Sequence, residues 1–107
     1  MTLSTHVLDT ATGRPAAGVP VTVSRFADGK WVVVADALTD ADGRCGRLLG
    51  EDAWGAGLWR VVFDTSAYLG ADAFFPSVSV EFAVLDPTHH HVPLLLSPFG
   101  YSTYRGS

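Results

Sequence analysis

The chain has 107 residues, of which 48% are hydrophobic, and a formal net charge of −4. That length suits one domain over residues 1–107. One lysine, Lys30, and scattered arginines at 14, 25, 44, 47, 60 and 105 exclude the clustered cations that nucleic acid or an anionic membrane would require. The only cysteine, Cys45, can form no intrachain disulfide and reads as a structural thiol. No apolar run approaches the ~20 residues of a membrane-spanning helix. Met1-Thr2-Leu3 has neither a basic start nor a long apolar run, so the expected compartment is the cytoplasm. So apolar a composition on so short a chain also predicts that some surface is buried against another subunit.

In chain order the pattern is β throughout. Leu3, Thr5 and Val7 alternate with Ser4, His6 and Leu8, predicting a first strand. Gly13, Pro15 and Gly18 mark a loop. Val19, Val21 and Val23 alternate with Pro20, Thr22 and Ser24 in a second strand. Ala27-Asp28-Gly29-Lys30 is a hairpin signal, with Trp31 to Ala35 returning. A second turn is expected at Asp40-Ala41-Asp42-Gly43 and a strand over Leu58 to Phe63. Ser66 to Gly70 predicts one short helix, capped by Thr65 or Ser66 and stopped by Gly70. Val78, Val80, Phe82 and Val84 alternate with polar or small residues in a half-buried strand. The last strands are expected over His89 to Leu96 and Tyr101 to Arg105, joined at Ser97-Pro98-Phe99-Gly100. Seven to eight short strands with a turn every ten residues or so predict an all-β sandwich with one short helix.

The chemistry-bearing residues gather at both ends and at one turn. On a strand His89 and His91 point to one face and His90 to the other. His6 shares a face with Ser4 and Leu8. Arg44 follows the Asp42-Gly43 turn. The run from His89 through Tyr104 is so apolar and aromatic that it is expected to be ordered, since each large side chain left in water forfeits roughly 1.5–3 kcal/mol. Taken singly, a strand histidine is ordinarily structural, an arginine beside a turn is ordinarily solvated, and Tyr104 is ordinarily an amphipathic anchor. Spacing alone leaves open whether these groups meet.

Three motifs carry a resemblance across nearly the whole chain. They are Leu3-Ser4-Thr5-His6-Val7-Leu8-Asp9-Thr10 running into Gly13-Arg14-Pro15-Ala16, then Thr39-Asp40-Ala41-Asp42-Gly43-Arg44, then His91-Val92-Pro93-Leu94-Leu95-Leu96-Ser97-Pro98 with Gly100-Tyr101-Ser102-Thr103-Tyr104-Arg105-Gly106-Ser107. Together they resemble the 5-hydroxyisourate hydrolases, the enzymatic branch of the transthyretin-like family. The resemblance implies a transthyretin-like sandwich assembled as a homotetramer, a dimer of dimers. It implies that His6, Arg44, His91 and Tyr104 converge with Ser107 in a cleft at the dimer–dimer contact, with no cofactor. The implied substrate is 5-hydroxyisourate, whose cyclic amide is opened by water to 2-oxo-4-hydroxy-4-carboxy-5-ureidoimidazoline in urate degradation. On that reading His91 activates water, Arg44 polarises the carbonyl, His6 orients or protonates, Tyr104 contacts the ring and Ser107 closes the site. One departure is His90, where the family tail commonly has an aromatic residue. It is expected to lie outside the cleft.

Two other readings compete. His89 and His91, with His6 as a third, have the spacing of zinc ligands, although no carboxylate or thiolate accompanies them at ligand spacing. A small-ligand carrier on the same fold is the other, as in transthyretin, which lacks the Tyr-Arg-Gly-Ser ending and the histidines. Arg44, His91 and the full tail count against it.

Overall fold

A computed structural model describes residues 2–46 and 48–106. Among these residues ten strands appear in chain order: β1 Leu3–Asp9, β2 Arg14–Pro15, β3 Pro20–Ala27, β4 Lys30–Leu38, β5 Arg44–Cys45, β6 Gly57–Phe63, β7 Val78–Val84, β8 His90–His91, β9 Leu94–Ser97 and β10 Gly100–Thr103. Three of them, β2, β5 and β8, have two residues each, which leaves seven of four residues or more. One sheet runs β4-β3-β6-β7 and is antiparallel throughout. The other is organised by β1. Along one edge β1 pairs antiparallel with β5 and then β2. Along its other edge it pairs parallel with β8 and then β9, and β10 closes antiparallel onto β9.

The two sheets meet on the faces that period-two alternation assigned inward. Leu3, Val7, Leu94 and Leu96 from the first sheet and Val21, Val23, Trp59, Val61, Phe63, Val78 and Val84 from the second are essentially fully buried. Each contributes on the order of 1.5–3 kcal/mol by leaving water. The Trp59 indole, wholly buried, satisfies its N–H on the Gly55 carbonyl at 2.9 Å. The Asp28-Gly29 hairpin forms as expected. Both residues have positive φ, at 53° and 78°, as a two-residue turn between strands requires.

Three sequence expectations are refined. His89 to Leu96 is not one strand. The ladder against β1 breaks between β8 and β9, where Pro93 has no N–H to donate. Thr5 Oγ1 takes up the Val92 carbonyl at 2.6 Å and Thr103 Oγ1 the Pro93 carbonyl at 2.7 Å, so the gap leaves neither oxygen unpaired. The tail likewise leaves the sheet after Thr103 and returns at Gly106, which bridges His91. The helix, α1, spans Ser66–Leu69 with Thr65 at its N-cap, one of the two expected positions, but the Thr65 side chain makes no capping bond. Asp64 Oδ1 receives Ser66 Oγ at 2.7 Å and the Ala67 amide at 3.3 Å. The Thr65 hydroxyl donates instead to the Phe75 carbonyl.

The tail is ordered by β9 more than by its aromatics. Val92, Leu94 and Leu96 are buried, whereas Phe99, Tyr101 and Tyr104 remain exposed on the single chain. Among the described residues no helix is long and apolar enough to cross a membrane.

Gly43 joins the turn to β1. Its φ is +74°, and a Cβ there would strike the Val7 carbonyl and come within 3.1 Å of Pro15 Cβ. Its own carbonyl receives the Val7 amide at 2.7 Å. Gly13 has a similar φ of +73° with open space around it. Gly13→Ala is therefore expected to cost about 1–2 kcal/mol from the left-handed backbone alone. Gly43→Ala adds a backbone clash and should cost about 3 kcal/mol or more. Urea denaturation of the two variants checks this, and equal losses would contradict the close approach.

Candidate functional site

The register of β1 sets which side chains meet. Ser4, His6 and Leu8 occupy its outer face, opposite buried Leu3, Thr5 and Val7. His6 stands directly across from Arg44 of β5, and Ser4 directly across from His91 of β8. Residues opposed in a ladder project to the same side of the sheet. His89, two residues before His91, joins them. The structure thus gathers Ser4, His6, Arg44, His89 and His91 on one face.

Each is held by identifiable contacts. The turn before Arg44 is built on Asp40, whose Oδ1 accepts the Asp42 amide at 2.8 Å and the Arg44 amide at 3.0 Å. These bonds, the Arg44 amide first, hold the Asp40 carboxyl below its ordinary range, with the charges of Arg44 and His6 adding to them. His6 Nε2 donates to the Asp42 carbonyl at 2.8 Å. A carbonyl only accepts, so the proton of neutral His6 sits on Nε2 and its lone pair on Nδ1.

His91 is the most constrained group. Its Nδ1 lies 2.7 Å from the Ser4 hydroxyl. The Gly106 amide donates to its carbonyl at 2.7 Å. Gly106 also packs closely against the imidazole, since a Cβ there would strike Cδ2 and come within 3.1 Å of Cγ and 3.3 Å of His91 Cβ. Burial lowers the His91 pKa below 6.5, and the nearby charges of Arg44, His6 and His89 lower it further, while the Ser4 backbone opposes them. The result is a neutral imidazole at physiological pH, which is the form that can accept a proton.

His90 faces the other way, as alternation requires. It is buried, its Nδ1 donates to the Thr88 carbonyl at 2.8 Å, and its ring meets Trp54 edge-on at 5.5 Å. Tyr104 is found on that same side. With His90, Val92, Phe82 and Arg105 it lines a cavity of about 260 Å³ between the tail and β7. Among the described residues no hydrogen bond or ring contact joins Tyr104 to His6, Arg44 or His91. Ser107 lies outside the described residues. The sequence reading passed over Ser4 and the Asp42 carbonyl as parts of the site. Ser4 carried a signal, two positions before His6 on the same strand face, whereas a carbonyl leaves no trace in side-chain chemistry.

Two alternatives can be weighed on this geometry. Cys45, on the opposite face of β5 from Arg44, is buried, and burial with the charge of Asp40 pushes its thiol up to about 11. It is protonated at neutral pH and is no nucleophile. For zinc, His89 Nε2 and His91 Nδ1 are both engaged by the Ser4 hydroxyl. Among the described residues no three His, Cys, Asp or Glu side chains are grouped to hold a metal ion.

The chain matches the HIUase/transthyretin family over residues 3–106. It is 47% identical to a 5-hydroxyisourate hydrolase of Salmonella typhimurium, over 98% of this chain and 80% of that protein. Its fold superposes on the structure of Klebsiella pneumoniae 5-hydroxyisourate hydrolase with a TM-score of 0.84, at 38% identity and full coverage of both chains. It also superposes on sea bream transthyretin in complex with thyroxine with a TM-score of 0.91, at 38% identity over 99% of this chain and 95% of that one.

The lowered pKa has a measurable consequence. A histidine whose folded value lies below its unfolded value binds fewer protons when folded, so its contribution to stability is present above 6.5 and is lost as pH falls through the folded value. In an NMR titration His91 is expected to protonate below 6.5. Arg44→Gln should move that midpoint upward without restoring the ordinary value, because burial is the larger cause. A wild-type midpoint at or above the ordinary value would contradict the assignment.

Proposed function

The chain belongs to the HIUase/transthyretin family, and from that membership we propose that it is a hydrolase that opens the cyclic amide of 5-hydroxyisourate in urate degradation. The observation that carries the reading is the single outer face on which β1 collects His6, Arg44 and His91. A likeness of fold extends equally to a thyroxine-binding transthyretin, so the sandwich does not choose between enzyme and carrier. The chemistry of that face does, because a neutral imidazole beside a guanidinium is equipment for water attack on a carbonyl.

The proposed mechanism uses three groups. Neutral His91 takes a proton from water at Nε2 as the oxygen attacks the substrate carbonyl. Arg44 stabilises the oxyanion that forms and holds the planar ring through its fork of N–H donors. His6, with Nε2 committed to the Asp42 carbonyl, has Nδ1 for the substrate. Neutral, it accepts a ring N–H there; as imidazolium, it donates there to the leaving nitrogen. Collapse of the tetrahedral adduct breaks the carbon–nitrogen bond, and the departing nitrogen takes up the proton. Gly106 lies against the His91 ring, and the resemblance supports Ser107 as the residue that closes the site. For Tyr104 the support is the resemblance alone.

The assembly proposed is a homotetramer, a dimer of dimers. Among the described residues, strands β4, β7 and β10 end their sheets with edges that pair with no further strand of the single chain. Val33, Leu38, Phe74, Leu85, Phe99 and Tyr104 are each more than half exposed, at 61%, 64%, 67%, 89%, 79% and 57%. Free edges and scattered large apolar groups of this kind are what association removes from water.

Two measurements test these proposals. 5-Hydroxyisourate generated in situ from urate should lose its ultraviolet absorbance faster with the protein than without, and a chelator should not remove the acceleration. Arg44→Lys keeps the charge and loses the fork, and should lower kcat/KM by about 10²-fold with folding intact. Decay at the spontaneous rate, or full activity in Arg44→Lys, would defeat the mechanism. Light scattering at micromolar concentration should report four chains, and a monomer would defeat the assembly.

A further inference from the structure

The Ser4 hydroxyl lies between two imidazoles, 2.7 Å from His91 Nδ1 and 3.0 Å from His89 Nε2. Ser4 is held in the β1 ladder, with its carbonyl accepting the Val92 amide at 2.9 Å, and is nearly buried. A hydroxyl carries one proton, so it donates to one ring and accepts from the other. Of the two arrangements, one has His91 protonated on Nδ1 and basic on Nε2, and the other has the reverse.

Resting on the activity proposed above, we infer that Ser4 is a positioning residue that makes His91 a base: it accepts the His91 Nδ1–H, leaves the lone pair on Nε2, and donates its own proton to His89 Nε2. The same three groups form a proton relay. When His91 Nε2 takes a proton from water, the Nδ1 proton passes to Ser4 Oγ, and the original Ser4 proton passes to His89 Nε2. Hydroxide is delivered to the carbonyl, His91 and Ser4 are again neutral, and the positive charge rests on His89 as an imidazolium. Reversal of the same transfers returns the proton for the leaving nitrogen.

The environment favours that displacement of charge. His91 is half-buried and faces Arg44 from β5, His6 from β1 and His89 from the segment before β8, all cationic or able to become so. A cation retained on His91 would be poorly solvated and repelled. His89 is exposed, where water stabilises the charge. The relay therefore lets a base of low pKa work without keeping the proton it removes.

Long-range nitrogen NMR of the substrate-free protein reads the tautomer directly. His91 is expected as the Nδ1–H form in the wild type and as a mixture in Ser4→Ala. In turnover, Ser4→Ala should lower kcat by about 10²-fold, the scale of an acid–base contribution, with KM little changed. Ser4→Thr keeps the hydroxyl and should stay within a few-fold. His89→Ala should fall like Ser4→Ala, and the double variant should fall no further, because both cut one relay. A wild-type His91 protonated on Nε2, a Ser4→Ala or His89→Ala enzyme with unimpaired kcat, or losses that multiply in the double variant would each overturn the inference. If Ser4→Ala does not fold, the wild-type spectrum and His89→Ala decide it. A wild type that does not hydrolyse 5-hydroxyisourate would overturn the activity instead, which the spectrum, needing no substrate, separates from failure of the relay.

Discussion

The register of β1 is the constraint on which the rest of the molecule depends. Period-two geometry means that a slip by one residue would turn every side chain of the strand to the opposite face. Leu3 and Val7, at 1% and 0% exposure, make that slip prohibitive, because it would move them into water and Ser4 and His6 into an apolar core. The outer face inherits this certainty without any contact of its own having to supply it. Arg44 arrives opposite His6, and His91 opposite Ser4, because both partners are aligned with a strand whose inner face admits one arrangement. The core thereby positions the chemistry.

The loops finish what the ladder begins. Asp40 gathers two backbone amides into a turn, and that turn presents both Arg44 and the Asp42 carbonyl that orients His6. On the far side of β1, Gly106 returns from the tail to lie against the His91 ring. Both devices bring backbone to within hydrogen-bonding or van der Waals distance of an imidazole, and both use glycine where a side chain would intrude. Rigid placement matters here, since acid–base chemistry falls off steeply when a donor and acceptor drift apart.

The electrostatics follow from the same placement. Several groups that are or can become cationic share one face, and the Asp40 carboxylate of the adjoining turn is engaged by backbone amides. Such a face is costly to charge fully, and His91, half-buried, is the member driven neutral. A base that stays unprotonated at the working pH is the useful outcome of that burial, with the repulsion adding to it. The face is also well suited to a planar, polar, hydrogen-bonding ring, whereas a large apolar guest would leave its imidazoles and guanidinium unpaired.

Alternation along the chain, with turn and cap residues, was enough to determine the β class, the inward faces of the strands, the Asp28-Gly29 hairpin, the position of the helix and the separation of His90 from His89 and His91. These properties depend on a two-residue period or on local backbone preference, and both are written into neighbouring residues. The family motifs added His6, Arg44 and His91 as a set. What brought them together is long-range pairing: His6 and Arg44 are separated by 38 positions in sequence, and Ser4 and His91 by 87, so no local rule relates them. The break in the ladder at Pro93, the cavity lined by Tyr104 and the bridge made by Ser4 also depend on which segments become neighbours. That choice is made by burial of the whole core at once, and the tertiary structure alone decides it.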